Sequence, residues 1–126
     1  MPTLNEIMSR DVFTVSRDAT VADVAQAMLR ARVGSAVVTD GRLLAGIFTE
    51  RDVVRAAASG DDLTAARIAD WMTPDPVTAA PEADADDAAA SMMTQGFRHL
   101  PVVDGNDLIG IVSLRDILRT RVRRVG

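Results

Sequence analysis

Residues 46–52 read Gly-Ile-Phe-Thr-Glu-Arg-Asp, and residues 110–116 read Gly-Ile-Val-Ser-Leu-Arg-Asp. The two stretches lie 64 positions apart, and the same offset aligns residues 8–56 with residues 72–120 without a gap. A repeat of this length indicates two copies of one supersecondary unit, each too small to bury a core alone. We therefore expect a pseudo-twofold arrangement in which any site in one copy has a twin in the other.

The hydrophobic spacing predicts the order β-α-β-β-α in each copy, which makes the fold class α/β. Each copy is expected to hold a short extended segment, an amphipathic helix, two strands joined by an Asp-Gly turn, and a closing helix. The amphipathic helices are predicted to start after Thr20 and Asp84 and to end near Gly34 and Gly96. The predicted domain boundaries are 1–60 for the first repeat with its N-terminal lead-in, 61–70 for a linker with a connecting helix, and 71–126 for the second repeat.

The composition argues against several kinds of protein. The chain has 126 residues, of which 48% are apolar, so it can form a core. Its net charge of −4 disfavours electrostatic attraction to nucleic acid or anionic lipid. It has no cysteine and one histidine, which leaves no thiol nucleophile and too few ligands for a metal site, so we predict that it is not an enzyme. It shows neither a targeting segment nor an apolar run of about 20 residues, so we expect a cytoplasmic protein with no membrane contact.

The shared motif Gly-Ile-x-Thr/Ser-x-Arg-Asp runs from the end of a strand into the first turn of a helix. Its hydroxyl residues, Thr49 and Ser113, suit helix N-caps. The aspartates then occupy the third helical position, so the motifs can be capping boxes that bind nothing. The other interpretation is a ligand site, because a helix N-terminus attracts phosphate and a carboxylate accepts hydrogen bonds from ribose hydroxyls. Both copies also keep an arginine before the aspartate, which a cap does not need.

Three features together carry a family resemblance: Met-Ser or Met-Thr at the entrance of each copy, the Asp-Gly turn, and Gly-Ile-x-Thr/Ser-x-x-Asp at its end. The chain resembles a tandem pair of CBS domains, the Bateman module, of the stand-alone bacterial type. The resemblance implies two repeats packed through their sheets, with clefts that bind an adenosyl-type small molecule such as AMP, ADP or ATP. It implies no required cofactor and a regulatory, energy-sensing role.

The resemblance also assigns ligand contacts. Asp52 and Asp116 would hold ribose hydroxyls. Thr49 and Ser113 would contact phosphate or ribose. The entrance residues Thr14, Val15, Thr78 and Ala79 would flank the base, and the middle-strand residues Ser35, Ala36, His99, Leu100 and Pro101 would line the cleft. Independently of the resemblance, Arg51 and Arg115 are candidate contacts because both motifs keep them, and Arg98 with His99 could contact a phosphate or simply be partly exposed strand residues. A glutamate in one motif stands where the other has leucine, so the two sites are expected to differ.

Apolar helix faces predict a homodimer, which would pass the signal to a regulated partner protein. The residues expected at these faces are Val53, Val54, Ala57, Ile117 and Leu118. The main alternative is a ligand-free structural module whose motifs act only as helix caps. Nucleic acid is a more distant alternative, since the basic stretch Arg119–Arg124 is better explained as a solvated helix end that complements the helix dipole.

Overall fold

The computed structural model describes residues 2–125, with side chains described as far as Arg121. It confirms the α/β class and the β-α-β-β-α repeats. In the second repeat the opening segment is reduced to one parallel bridge between Ala79 and Val102. The elements in chain order are α1 Leu4–Ile7, β1 Thr14–Ser16, α2 Val21–Ala31, β2 Ser35–Asp40, β3 Leu43–Thr49, α3 Glu50–Ser59, a 3₁₀ turn Ile68–Asp70, β4 Thr73–Pro74, α4 Ala85–Gln95, β5 His99–Asp104, β6 Asp107–Ser113 and α5 Leu114–Val125.

The chain forms two compact units whose boundaries differ from those of the sequence repeats. The first-repeat unit is Phe13–Pro76, and the second-repeat unit is Met1–Val12 together with Val77–Gly126. The N-terminal lead-in, which the sequence groups with the first repeat, therefore packs with the second, and the linker packs with the first. The physical reason is burial, because Leu4 lies in the core of the second-repeat unit and Ile68 lies in the core of the first.

The sheet of the first-repeat unit has the strand order β1-β2-β3-β4. β1 runs parallel to β2, and β2 pairs with β3 in an antiparallel register that places Ser35 opposite Thr49. Helices α2 and α3 contact each other and the sheet. This packing fixes the junction between β3 and α3, where the first motif lies. The buried core consists of Val21, Val24, Met28, Ala36, Val38, Phe48, Ala56 and Ile68.

The second-repeat unit is built around the antiparallel hairpin of β5 and β6, in which His99 lies opposite Ser113. The lead-in pairs with the edge of this hairpin, since Ser9 and Ile111 exchange two backbone hydrogen bonds of 2.9 and 3.0 Å. Helix α5 contacts α1, α4 and β6, which fixes the junction between β6 and α5. The buried core consists of Leu4, Met8, Ala85, Ala88, Ala89, Met92, Leu100, Val102, Val112 and Ile117.

The turns and helix starts follow the local sequence. Gly41 and Gly105 both adopt a φ of +63°, the left-handed conformation that a tight Asp-Gly hairpin turn requires. The Thr20 hydroxyl accepts a hydrogen bond of 3.2 Å from the third amide of α2, and the Asp84 carboxylate accepts one of 3.1 Å at α4. Both residues are therefore the N-caps that the sequence predicts.

Two local features differ from the sequence prediction. Helix α2 ends at Ala31, before the glycine expected to stop it, because Arg32 itself adopts a left-handed φ of 58°. The connecting helix predicted in the linker is reduced to the 3₁₀ turn. The linker carbonyl oxygens of Leu63 and Ala66 are not free to form helical hydrogen bonds, because they accept hydrogen bonds of 2.9 and 2.8 Å from the first amides of α2.

Candidate functional site

In each unit the start of the middle strand lies beside the hydroxyl residue of the motif. Ser35 faces Thr49 across β2 and β3, and His99 faces Ser113 across β5 and β6. In both units the first amide of the following helix donates a hydrogen bond, of 3.1 or 2.9 Å, to the carbonyl just before the strand. The structure thus brings two of the three segments assigned to each site together.

The entrance segments lie one strand further along. Thr14 and Val15 pair in parallel register with the middle of β2. In the other unit the Ala79 amide donates a hydrogen bond of 3.1 Å to the Pro101 carbonyl. Both Thr14 and Thr78 are exposed. All three assigned segments are therefore neighbours within each unit.

Several of the assigned residues are part of the cores. Ala36, Leu100 and Pro101 are at most 3% exposed. A ligand beside them would meet backbone atoms, because their side chains already pack in the cores. Arg98 is exposed and His99 is half-buried, so at the start of β5 these two present side chains that a ligand can reach.

The Asp52 carboxylate is almost fully engaged within its own unit. Its Oδ2 accepts hydrogen bonds from the amide and the hydroxyl of Thr49, at 3.0 and 3.3 Å. Its Oδ1 accepts a hydrogen bond of 2.9 Å from the guanidinium of Arg55. The Asp52 side chain is 8% exposed. This arrangement is a helix cap reinforced by an ion pair.

The Asp116 carboxylate is capped in the same way but is much more open. Its Oδ2 accepts a hydrogen bond of 3.4 Å from the Ser113 amide, and its own amide donates one of 3.1 Å to the Ser113 hydroxyl. Oδ1 lies 3.9 Å from the nearest guanidinium nitrogen of Arg119, and the side chain is 39% exposed. Oδ1 accepts no hydrogen bond from any described residue. The two motifs therefore share a backbone geometry and differ in carboxylate access.

Sequence reasoning missed the group that engages Asp52. The guanidinium carbon of Arg55 lies 5.5 Å from the centroid of the Trp71 ring, which is a cation–π distance. An arginine three positions after the aspartate is a usable signal for an ion pair within a helix. The tryptophan is not signalled locally, because it reaches Arg55 only through the packing of the linker on the first-repeat unit.

The motif glycines have a packing reason that is independent of any ligand. A Cβ placed on Gly46 would lie 2.7 Å from both the Met72 sulfur and the Thr73 carbonyl oxygen. A Cβ placed on Gly110 would lie 2.5 Å from the Met8 sulfur and 3.0 Å from a backbone carbonyl of the lead-in. Glycine is needed in both motifs because the paired neighbouring segment, residues 72–73 or residues 8–9, approaches the strand closely at that position.

The remaining charged candidates are exposed. Arg51 and Arg115 lie on the first turns of α3 and α5, and neither forms an ion pair with a described residue. Among the side chains that the structure describes, those of residues 2–121, no cluster of three metal-ligating groups is found. No helix of the described chain has the length and apolarity needed to cross a bilayer. Arg123 and Arg124 of the basic stretch lie outside the residues whose side chains are described.

Comparison with known protein families finds two domains that correspond to the two repeats of the sequence. A model of the CBS domain family matches residues 4–59 and 68–123. The CBS domain-containing protein YhcV of Bacillus subtilis is 33% identical over 118 residues, which cover 93% of this chain and 84% of that protein. The chain is also 36% identical to arabinose 5-phosphate isomerase KdsD of Yersinia pestis, where the match covers 89% of this chain and 34% of the enzyme. Similar pairs therefore occur both in small proteins and within longer enzymes.

Solved structures agree in fold. A CBS-domain containing protein from Agrobacterium tumefaciens has a TM-score of 0.89 and 31% identity, over 94% of this chain and 98% of that one. The hexameric CBS-CP12 protein of bloom-forming cyanobacteria has a TM-score of 0.86 and 32% identity, over 94% and 70%. The CBS domain pair of protein MJ0100, solved with 5′-methylthioadenosine and S-adenosylmethionine, has a TM-score of 0.87 and 25% identity, over 94% and 98%. The chain belongs to the CBS-domain family, as a tandem pair of CBS domains.

Proposed function

We propose that the chain is a non-catalytic regulatory module that binds an adenosyl-type small molecule at its motifs. The observation that carries the proposal is the Asp116 carboxylate, which is half-exposed at a helix N-terminus and has one oxygen that accepts no hydrogen bond from a described residue. The vicinal hydroxyls of a ribose are donors that such an oxygen can accept. Further support comes from MJ0100, a similar CBS pair that was solved with two adenosyl compounds.

The charges around the second motif suit a ligand that also carries phosphate. The first turn of α5 carries the positive end of the helix dipole, and Arg115 is exposed beside it. Arg98, at the start of β5, adds a second exposed cation. In the first motif Glu50 adds a negative charge where the second has Leu114. AMP, ADP and ATP are therefore expected to prefer the second motif, each as a bound effector and not as a required cofactor.

Calorimetry and thermal unfolding test the proposal directly. The panel is 5′-methylthioadenosine, S-adenosylmethionine, AMP, ADP and ATP. A true ligand present at 100 times its dissociation constant should stabilise the chain by about 2.7 kcal/mol. The decisive variant is Asp116→Asn, which keeps one side-chain oxygen for the Ser113 amide and replaces the other with a group that cannot accept. Binding should weaken by about ten- to a hundredfold, the worth of hydrogen bonds to a charged acceptor.

The matched control is Asp84→Asn, since this residue is also an acidic helix cap of the same unit and lies outside the motif. It should leave the affinity unchanged. The competing function is a ligand-free structural module in which the motifs are only caps. That alternative is favoured if no compound of the panel stabilises the chain, or if Asp116→Asn binds as tightly as the wild type.

The homodimer is proposed on the exposed apolar side chains of the helices. Leu29 and Val54 are exposed in the first-repeat unit, and Met93 and Leu118 are exposed at the positions 64 residues later. Ile117, which the sequence analysis placed on this face, is 1% exposed and belongs to the core. Apolar side chains repeated at twin positions suit a self-complementary contact between two copies.

Sedimentation velocity tests the dimer with a matched pair of variants. Leu29→Glu combined with Met93→Glu should convert a dimer into a monomer, because it places charge on both helix faces. Leu43→Glu is the control, since Leu43 is equally apolar and 65% exposed but lies on a hairpin. A wild-type chain that sediments as a monomer would contradict the dimer and leave the ligand proposal standing.

A further inference from the structure

The two motif carboxylates differ in the arginine that follows them by three positions. In the first motif Arg55 reaches Asp52 Oδ1 at 2.9 Å, and in the second Arg119 stays 3.9 Å from Asp116 Oδ1. Both arginines occupy the same position of the repeat, and both are more than half exposed, with 53% and 63% of their side chains accessible. Neither helix position nor burial of the arginine accounts for the difference.

The two units differ in the residue at the position of the repeat that Trp71 occupies. Trp71 holds the guanidinium of Arg55 at 5.5 Å from its ring centroid. The residue 64 positions before Trp71 is Ile7, which packs against the core of the second-repeat unit. An isoleucine has no aromatic face, so it offers no cation–π contact to Arg119. Among the described residues, a cation–π contact therefore holds the arginine beside the aspartate in the first-repeat unit alone.

We propose that Arg55 and Trp71 form a latch that sets the affinity of the first-repeat site. The inference rests on the proposed function, in which the motif aspartates accept hydrogen bonds from ribose hydroxyls. Asp52 Oδ1 is already occupied by the Arg55 guanidinium, and Oδ2 accepts two hydrogen bonds from Thr49. A ribose must displace the guanidinium to reach Oδ1. In the second-repeat site the Arg119 guanidinium lies 3.9 Å from Asp116 Oδ1 and donates no hydrogen bond to it, so that site binds the same ligand more tightly.

The size of the effect follows from the two contacts of the latch. The ion pair is charge-assisted, but 53% of the Arg55 side chain is exposed, so we expect its removal to tighten the first site by about tenfold. The cation–π contact is also partly solvated, and its loss corresponds to a change of about two- to fivefold. Arg55→Met should therefore act more strongly than Trp71→Ile, which installs the residue of the twin position.

Trp71 is the only tryptophan in the sequence, so the tryptophan emission reports the surroundings of this one ring, which include the Arg55 guanidinium. Without ligand, Arg55→Met should change the emission intensity, and Arg30→Met, which removes another exposed arginine of the same unit, should not. Affinity is then measured by calorimetry with 5′-methylthioadenosine, which carries the ribose hydroxyls and no phosphate. The full chain with Asp116→Asn reports the first site, and Asp52→Asn reports the second.

In the Asp116→Asn background, Arg55→Met should tighten binding about tenfold and Trp71→Ile about two- to fivefold. In the Asp52→Asn background, Arg119→Met should change the affinity by less than about twofold, as expected for an exposed, loosely paired arginine. The latch is overturned if Arg55→Met leaves the first site unchanged or weakens it while the second site still binds. If the wild-type chain binds at neither site, the proposed function fails and the latch fails with it.

Discussion

The position of the lead-in makes Leu4→Ala a strong test of the structure. Leu4 belongs to a helix of four residues near the N-terminus, where a truncated side chain would ordinarily matter little. In the structure it is 0% exposed and packs in the core of the second-repeat unit. The substitution removes three carbon atoms, which at about 0.8 kcal/mol each is a transfer loss of about 2.4 kcal/mol.

A cavity term adds to that loss, because the surrounding core relaxes only in part. The lead-in is also held by backbone hydrogen bonds, among them those that Leu4 and Asn5 donate to Ala83 and Pro81, both 2.9 Å, so it should stay in place when the Leu4 side chain is truncated. We therefore expect a loss of about 3 kcal/mol in the free energy of unfolding, near the lower end of the range for such substitutions.

Urea unfolding followed by circular dichroism measures the loss. Leu29→Ala is the control, since Leu29 is 81% exposed and its truncation should cost less than about 0.5 kcal/mol. Hydrogen exchange then locates the effect, which should be larger in β5 and β6 than in β2 and β3. The twin substitution Ile68→Ala should give the opposite pattern. A loss below about 1 kcal/mol for Leu4→Ala, or faster exchange mainly in β2 and β3, would refute the assignment of the lead-in to the second-repeat unit.

Three further predictions concern single residues. Gly110→Ala should destabilise the chain by about 1–3 kcal/mol in urea unfolding, because the added Cβ would overlap the Met8 side chain. A loss near zero would contradict the close approach of Met8 to Gly110. Asp84→Ala should cost about 1 kcal/mol in the same assay, since it removes the N-cap of α4; an unchanged midpoint would contradict the cap. The side-chain hydroxyl and then the backbone amide of Thr64 lower the pKa of Asp62 below its ordinary 3.8, so Thr64→Ala should raise that pKa in an NMR titration. Because the pKa is lowered, the hydrogen bonds from Thr64 to Asp62 stabilise the folded chain above pH 3.8, and this stabilisation is lost as the pH falls through the lowered pKa. An Asp62 pKa that is unchanged in Thr64→Ala would contradict these hydrogen bonds.

Much of the fold could be predicted because its signals are local. The Asp-Gly turns, the alternation of apolar residues in the strands and the caps Thr20 and Asp84 each depend on a few adjacent residues. The packing of the N-terminal lead-in with the second-repeat unit, and of the linker with the first, could not be predicted in this way. Leu4 and Ile68 occupy the same position of the repeat, so their apolar character predicts burial without specifying in which copy.

The candidate site also combines features that the local sequence predicts with features that only tertiary packing determines. Turn length brings Ser35 close to Thr49 and His99 close to Ser113, and one β-bulge in each hairpin shifts the register so that these residues lie opposite each other. The unequal access to the two aspartates depends on Trp71, which lies 16 residues after Arg55 and reaches it through tertiary packing. Glu50 and Leu114 predict a difference in charge between the two motifs, but the difference in access to the two aspartates arises from Trp71.

The discontinuity of the second-repeat unit has a consequence for biosynthesis. Phe13–Pro76 is one uninterrupted segment, so everything the first-repeat unit needs has been synthesised before residue 77 leaves the ribosome. The other unit combines Met1–Val12 with Val77–Gly126, so its lead-in meets its partners only after the whole first-repeat unit has been synthesised. We therefore expect the unit that contains the more open aspartate to fold after the first-repeat unit, so that a nascent chain acquires the second of its two proposed ligand sites later than the first.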